Sequence, residues 1–138
     1  MTSKHIQALN LSQYQVFIVE DEAIISNNLS RKLQKKGFSN IHVMSSGESA
    51  IQLAKKVTPQ LVIIDILLAQ GMDGFETAYL LSQQCHAKFI FTSADFNHEN
   101  KRLIKDLKGC QFMQKPYQFE DLFELLGKTL LGNVALTK

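Results

Sequence analysis

The sequence predicts an α/β domain: a doubly wound, five-stranded parallel sheet of order 2-1-3-4-5 with five helices. Three observations predict it. Five short apolar runs alternate with five stretches of helical periodicity. The runs "VFIV" and "LVII" are continuously apolar rather than alternating, as strands covered on both faces are. Parallel strands joined by right-handed crossovers leave few topologies, and 2-1-3-4-5 is the simplest for five strands.

Each element has its own warrant. "YQVFIVE" (Tyr14–Glu20) reads as the first strand. In "DEAIISNNLSRKLQKKG", Ile24, Ile25, Leu29 and Leu33 form one helical stripe, Asp21 is a candidate N-cap and Gly37 a stop. "NIHVMS" is a short strand, and "GESAIQLAKKV" a helix ended before Pro59, which disfavours helix in its predecessor. "QLVIID" (Gln60–Asp65) is an apolar strand ending in a carboxylate, and "DGFETAYLLSQQ" is helical. "KFIFTS" (Lys88–Ser93) is the fourth strand, and "NHENKRLIKDLKG" a polar helix with Leu103, Ile104 and Leu107 on its apolar side. "CQFMQ" is the fifth strand and "QFEDLFELLGKTLL" the closing helix. This order and layering are flavodoxin-like.

A chain of 138 residues argues for one domain, placed at residues 14–132, with an N-terminal extension (1–13) and a C-terminal tail (133–138). A net charge of +2 is too small to make nucleic acid or an anionic membrane the main partner. No apolar run reaches transmembrane length, and "MTSKHIQALNLSQ" lacks the apolar segment of a secretion signal, so the expected location is the cytoplasm. Cys85 and Cys110 make neither a metal motif nor a disulfide framework and read as small hydrophobes. His5, His42, His86 and His98 share no spacing and read as structural or exposed.

Ligands of such sheets sit beyond the carboxyl ends of the strands, where strands 1 and 3 meet. Strand 1 ends at Glu20-Asp21 and strand 3 at Asp65, so three carboxylates converge there. Two carboxylates about 4 Å apart repel by roughly 4 kcal/mol at an effective dielectric near 20. A lysine or a divalent cation offsets that. Strand 4 brings Thr92-Ser93 to the same edge, and strand 5 brings Lys115-Pro116. A hard cation on carboxylate oxygens, a nucleophilic carboxylate, a hydroxyl and an ammonium make a phosphoryl-binding site.

"FIVEDE", "VIIDI", "DGFE", "FTSA" and "FMQKP", in that order from Tyr14 to Leu131, resemble the motifs of response-regulator receiver domains of two-component signalling, in a stand-alone, chemotaxis-regulator-like form. The resemblance implies that Asp65 is the phosphoacceptor, taking a phosphoryl group from a phosphohistidine donor. It implies Mg²⁺ held by Asp21, by Glu20 through a water, by Asp65 and by the Leu67 carbonyl. Lys115 then pairs with phosphoryl oxygens, and Pro116 completes the family's lysine–proline pair. Ser93, followed by the small Ala94, matches the switch hydroxyl, and Phe112 the aromatic that moves with it. The implied partners are a histidine kinase or phosphotransfer protein and a target on the face of the fourth helix, fifth strand and fifth helix. A phosphorylation-dependent homodimer is also within the family's range. Such a protein is no enzyme: it catalyses only its own phosphorylation and dephosphorylation.

Two positions depart from the family pattern. The loop after Asp65, "ILLAQGMDG", has Leu68-Ala69 for the usual Met-Pro and is one position longer than the commonest form. The first acidic position is Glu20. Only "LGNVALTK" follows the last helix, so no output domain is expected. Three other functions compete. A Mg²⁺-dependent aspartyl-nucleophile phosphatase needs a second aspartate two residues after the nucleophile, where Leu67 stands. A flavin carrier needs a phosphate loop after strand 1, where "EDEAII" repels phosphate. A degenerate, purely protein-binding receiver would lack Asp65, Asp21 or Lys115, and all three are present.

Overall fold

The computed structural model describes residues 10–136. Five strands, β1 (Gln15–Val19), β2 (Asn40–Met44), β3 (Leu61–Asp65), β4 (Lys88–Ser93) and β5 (Cys110–Gln114), form one parallel sheet of order β2-β1-β3-β4-β5. The order is the one the sequence predicts. Four α-helices cover it: α1 (Ala23–Lys36), α2 (Gly47–Leu53), α3 (Gly74–Ser82) and α4 (Phe119–Leu136). A 3-10 helix, Glu99–Ile104, takes the fourth helical place.

Strand alternation divides the core. Val16, Ile18, Leu61, Ile63 and Ile90 pack with Leu29 and Leu33 of α1 and Leu122 and Leu126 of α4. Phe17, Val19, Val62, Ile64, Phe89 and Phe91 pack on the other face with Ala50 of α2, Phe75 and Leu81 of α3 and Ile104. Burying each such side chain stabilises by about 1.5–3 kcal/mol, so a one-residue slip of either central strand is costly.

Several local expectations need correction. Asp21 does not cap α1: Glu22 holds the N-cap position without a side-chain bond, because the Asp21 carboxylate is engaged elsewhere. Ile24 leaves the buried stripe and is 86% exposed. Gly37 does end α1, in the left-handed conformation (φ 118°) that glycine adopts freely. The fourth helix is not α-helical. His98 Nδ1 accepts the Asn100 N–H at its start, and only Ile104 is fully buried, so one tight turn suffices to seat it. The closing helix runs on to Leu136 through a non-helical Gly132. Of the N-terminal extension, residues 1–9, including His5, lie outside the described residues, as do 137–138 of the tail. Leu11 is buried in the α1–α4 core.

Candidate functional site

Strand register assembles the site. Val19 pairs with Ile64, so the chain leaving β1 at Glu20 lies beside Asp65, the last residue of β3. Asp65 pairs with Thr92, and Ser93 with Gln114, which sets Lys115 one residue beyond the β5 end. Apolar burial thus fixes the register, and the register brings residues from three strand ends together.

Lys115 Nζ donates to Glu20 Oε1 and to Asp65 Oδ2, both at 3.0 Å. Both carboxylates are buried, Glu20 at 5% exposure and Asp65 at 8%. Burial pushes the Glu20 carboxyl above its usual range; the Lys115 hydrogen bond opposes this and the Asp65 charge adds to it. Burial pulls the Lys115 ammonium down, but its bonds to Glu20 and Asp65 outweigh that and leave its pKa raised. The Lys115–Pro116 peptide is cis.

Glu20, Asp21 and Asp65 each offer an oxygen within 4.8 Å of the others. That spacing brings three carboxylates to one point of the sheet edge, close enough for a cation to be held between them directly or through water. All-oxygen donors suit a hard cation, and the residues present therefore fit Mg²⁺.

The loop between β3 and α3 is tied down by backbone N–H groups. Leu67 N–H donates to Asp65 Oδ1 at 3.1 Å, Ala69 N–H to Asp21 Oδ2 at 2.7 Å, and Met72 N–H to Glu48 Oε2 at 3.2 Å. Asp21 thus carries a structural contact besides its place in the acidic cluster. Gly74 closes the loop: its N–H donates to Ile66 O at 2.7 Å, and a Cβ there would collide with the Asp65 carbonyl. The Leu67 side chain is 56% exposed.

Two predicted residues stand apart from the carboxylates. Ser93 is buried, and its hydroxyl donates to Asp95 O at 2.8 Å and accepts the Asp95 N–H at 3.2 Å. Phe112 is stacked on Phe91 (centroids 5.5 Å apart) and edge-on to Phe96 (5.3 Å). Alternation sets Ser93 on the same sheet face as Phe91 and Phe112.

The sequence reading did not single out the cluster of Asp73, His98 and Asn100. Asp73 caps α3 by accepting the Glu76 N–H at 2.9 Å, accepts Asn100 Nδ2 at 2.5 Å and lies 3.7 Å from His98 Nε2. It joins the loop after Asp65 to the 3-10 helix. The capping half was legible as Asp73 three residues before Glu76. His42, by contrast, bonds Gln15 Oε1 at 2.8 Å, and His86 is exposed.

Comparison with known proteins agrees with this geometry. The response regulator receiver domain profile matches residues 16–127. The transcriptional regulatory protein YvrH of Bacillus subtilis is 29% identical over 102 residues, which are 74% of this chain and 43% of that protein. PdtaR of Mycobacterium tuberculosis, also a transcriptional regulatory protein, is 27% identical over 107 residues, 78% of this chain and 52% of that protein. The chain thus spans about half the length of these relatives. Among solved structures, the signal receiver domain of a modulated diguanylate cyclase from Desulfovibrio desulfuricans superposes with a TM-score of 0.75 at 25% identity, over 91% of this chain and 98% of that one. The receiver domain of the hybrid histidine kinase CckA gives 0.70 at 24%, over 84% and 98%. Matched over most of its length in sequence and fold, the chain belongs to the response regulator receiver domain family.

Proposed function

We propose that the chain is a phosphoacceptor switch that takes a phosphoryl group from a phosphohistidine onto Asp65. One observation carries this reading: Lys115 bridges Glu20 and Asp65 at 3.0 Å each, with Asp21 beside them. In the transfer, the P–N bond to the donor imidazole breaks as a P–O bond to the Asp65 carboxylate forms. The leaving imidazole keeps neutrality by taking up a proton. Lys115 is placed to turn from Asp65 to the phosphoryl oxygens, and the Leu67 N–H holds the carboxylate's orientation. Glu20, Asp21, Asp65 and the Leu67 carbonyl would hold Mg²⁺, which supplies positive charge to the transferring group.

The donor, a histidine kinase or phosphotransfer protein, has room to approach beside Lys115. A groove of about 520 Å³ runs from Lys115 and Pro116 to α1, and the 86%-exposed Ile24 stands on its rim. On phosphorylation Ser93 would turn toward the phosphoryl group and Phe112 toward the vacated space. That remodels the face of the 3-10 helix, β5 and α4 for a target protein or a second copy of the chain. The chain catalyses only its own phosphorylation and dephosphorylation. Its place is the cytoplasm; no helix among the described residues is long and apolar enough to cross a membrane.

The test is incubation with acetyl phosphate and Mg²⁺, read by intact mass. Wild type gains one phosphoryl mass, and neither Asp65→Asn nor wild type without Mg²⁺ does. Equal labelling of Asp65→Asn overturns the assignment.

A further inference from the structure

A second groove, of about 550 Å³, lies between the 3-10 helix and β5. Its floor is apolar, from Ile104, Leu107 and the ring of Phe112, which is 40% exposed. Its rim is cationic: Lys101, Arg102 and Lys105. No carboxylate lines it. Among the described residues none of the three cations is within salt-bridge distance of an acidic group. Lys101 instead lies over the Phe112 ring, 5.3 Å from its centroid. Across the groove the edge strand β5, "CQFMQ", carries no charge at all.

Three unpaired cations around an apolar floor are complementary to one kind of occupant. We infer that this groove receives an acidic segment of a partner protein that sets an apolar side chain on Phe112. The inference rests on the receiver reading and adds the partner's chemistry to it. Nucleic acid fits less well: a phosphate backbone offers no apolar side chain for the floor, and affinity there comes from neutralising many phosphates, not three. The charges set encounter and partner choice, and the buried apolar anchor supplies the hold. A carboxylate arriving at Lys101 draws the ammonium off the ring and opens Phe112 to that anchor. One groove of this size makes a small, transient interface that weakens as salt rises.

The probe is a short acetylated peptide of glutamates with two leucines, titrated into isotope-labelled protein and followed by NMR. Controls are the same peptide with glutamine for glutamate, the same with serine for leucine, and oligo-dT. The peptide should shift the resonances of Lys101, Lys105 and Phe112. Lys101→Glu with Lys105→Glu should weaken it by about tenfold, and both altered peptides should bind correspondingly less. Lys35→Glu, at the end of α1, should change nothing. The idea is overturned by shifts elsewhere, by no shifts at millimolar peptide, by equal binding of the glutamine peptide, or by tighter binding of oligo-dT. Labelling wild type with acetyl phosphate and Mg²⁺ in parallel, with Asp65→Asn as control, separates the two readings. If Asp65 takes no phosphoryl group, the receiver reading fails while the groove result stands.

Discussion

The Lys115 ammonium and the Asp65 carboxylate stand 3.0 Å apart across 50 residues of sequence, and the same ammonium reaches Glu20 at equal distance. One cation therefore compensates two buried anions. Removing it leaves Glu20 and Asp65 facing each other without relief, at a cost of about 3–5 kcal/mol.

Lys115→Met should accordingly melt well below wild type at neutral pH, and the deficit should depend on pH. The folded pKa of Glu20 is raised, so the native state binds its proton more readily than the unfolded chain does. The cost of a charged Glu20 is relieved as pH falls through that folded pKa, and the mutant should recover stability in mildly acidic buffer. Lys115 has the opposite linkage. Its raised pKa contributes stability that is complete below the unfolded value and lost as pH rises through the folded one. Wild type should thus lose stability in strong alkali by a step that Lys115→Met lacks. Circular-dichroism melts across pH measure both; a mutant deficit that is flat with pH contradicts the coupling.

Asp21 has two tasks that can be separated. It stands in the acidic cluster, and its Oδ2 accepts the Ala69 N–H at 2.7 Å. Asparagine keeps an oxygen for Ala69 but loses the charge that draws a cation. Mg²⁺ at 100 times its dissociation constant should stabilise wild type by about 2.7 kcal/mol through mass action. Asp21→Asn should keep or gain stability without metal, because one of three crowded anions is gone, and should lose most of the Mg²⁺ response. Asp21→Ala should lose the loop contact too and melt lower than Asp21→Asn. Thermal shift against Mg²⁺ decides it, and an unchanged response in Asp21→Asn removes Asp21 from the ligand set.

The Ser93 hydroxyl is engaged by its own turn, donating its proton to Asp95 O and accepting the Asp95 N–H. Turning to a phosphoryl group gives up two bonds of about 1 kcal/mol each for a charge-assisted one of about 1.5–3 kcal/mol. A switch built on Ser93 would therefore be poised near balance, with a small difference between its two states. Ser93→Ala should still be phosphorylated, yet show a reduced chemical-shift change at Phe112. A full wild-type change in that variant would show that Ser93 does not couple the two.

The strands and the acidic edge were legible because their cause is local. Continuous apolar runs must be buried, and register then carries Glu20, Asp65 and Lys115 together without further information. The 3-10 helix was not legible: Leu103, Ile104 and Leu107 fit an α-helical stripe equally well, and what seats the segment is Asn100 and His98 meeting Asp73. Asp21 was misread for a related reason. An acid before an apolar helix is an ordinary cap signal, and the Ala69 N–H that claims it lies 48 residues away. Ile24 kept helical period yet faces out: the buried positions of α1 are Ser26, Leu29 and Leu33, with Ile25 half-buried.

If Asp65 takes a phosphoryl group, Leu67 and Asp95, two positions after Asp65 and after Ser93, are the side chains expected to influence how long it lasts. An acyl phosphate is lost when water attacks in line, opposite the Asp65 oxygen. Leu67 carries no polar group to hold that water, and it is 56% exposed. Asp95 could orient a water, but its Oδ1 already accepts the Asn97 N–H at 2.9 Å, and its charge disfavours attack on an anionic phosphoryl group. A positioned general base contributes about 10²–10⁴-fold, and neither residue is well placed to supply it. The phosphorylated form should therefore be long-lived for a receiver. Leu67→Asn introduces a group that can hold water where the leucine excludes it, while its backbone N–H can still bond Asp65 Oδ1 as before. The variant should lose its phosphoryl group faster. After donor removal, the decay of the phosphorylated mass gives the lifetime directly, and a lifetime equal to or longer than wild type would show that access past Leu67 does not limit the reaction.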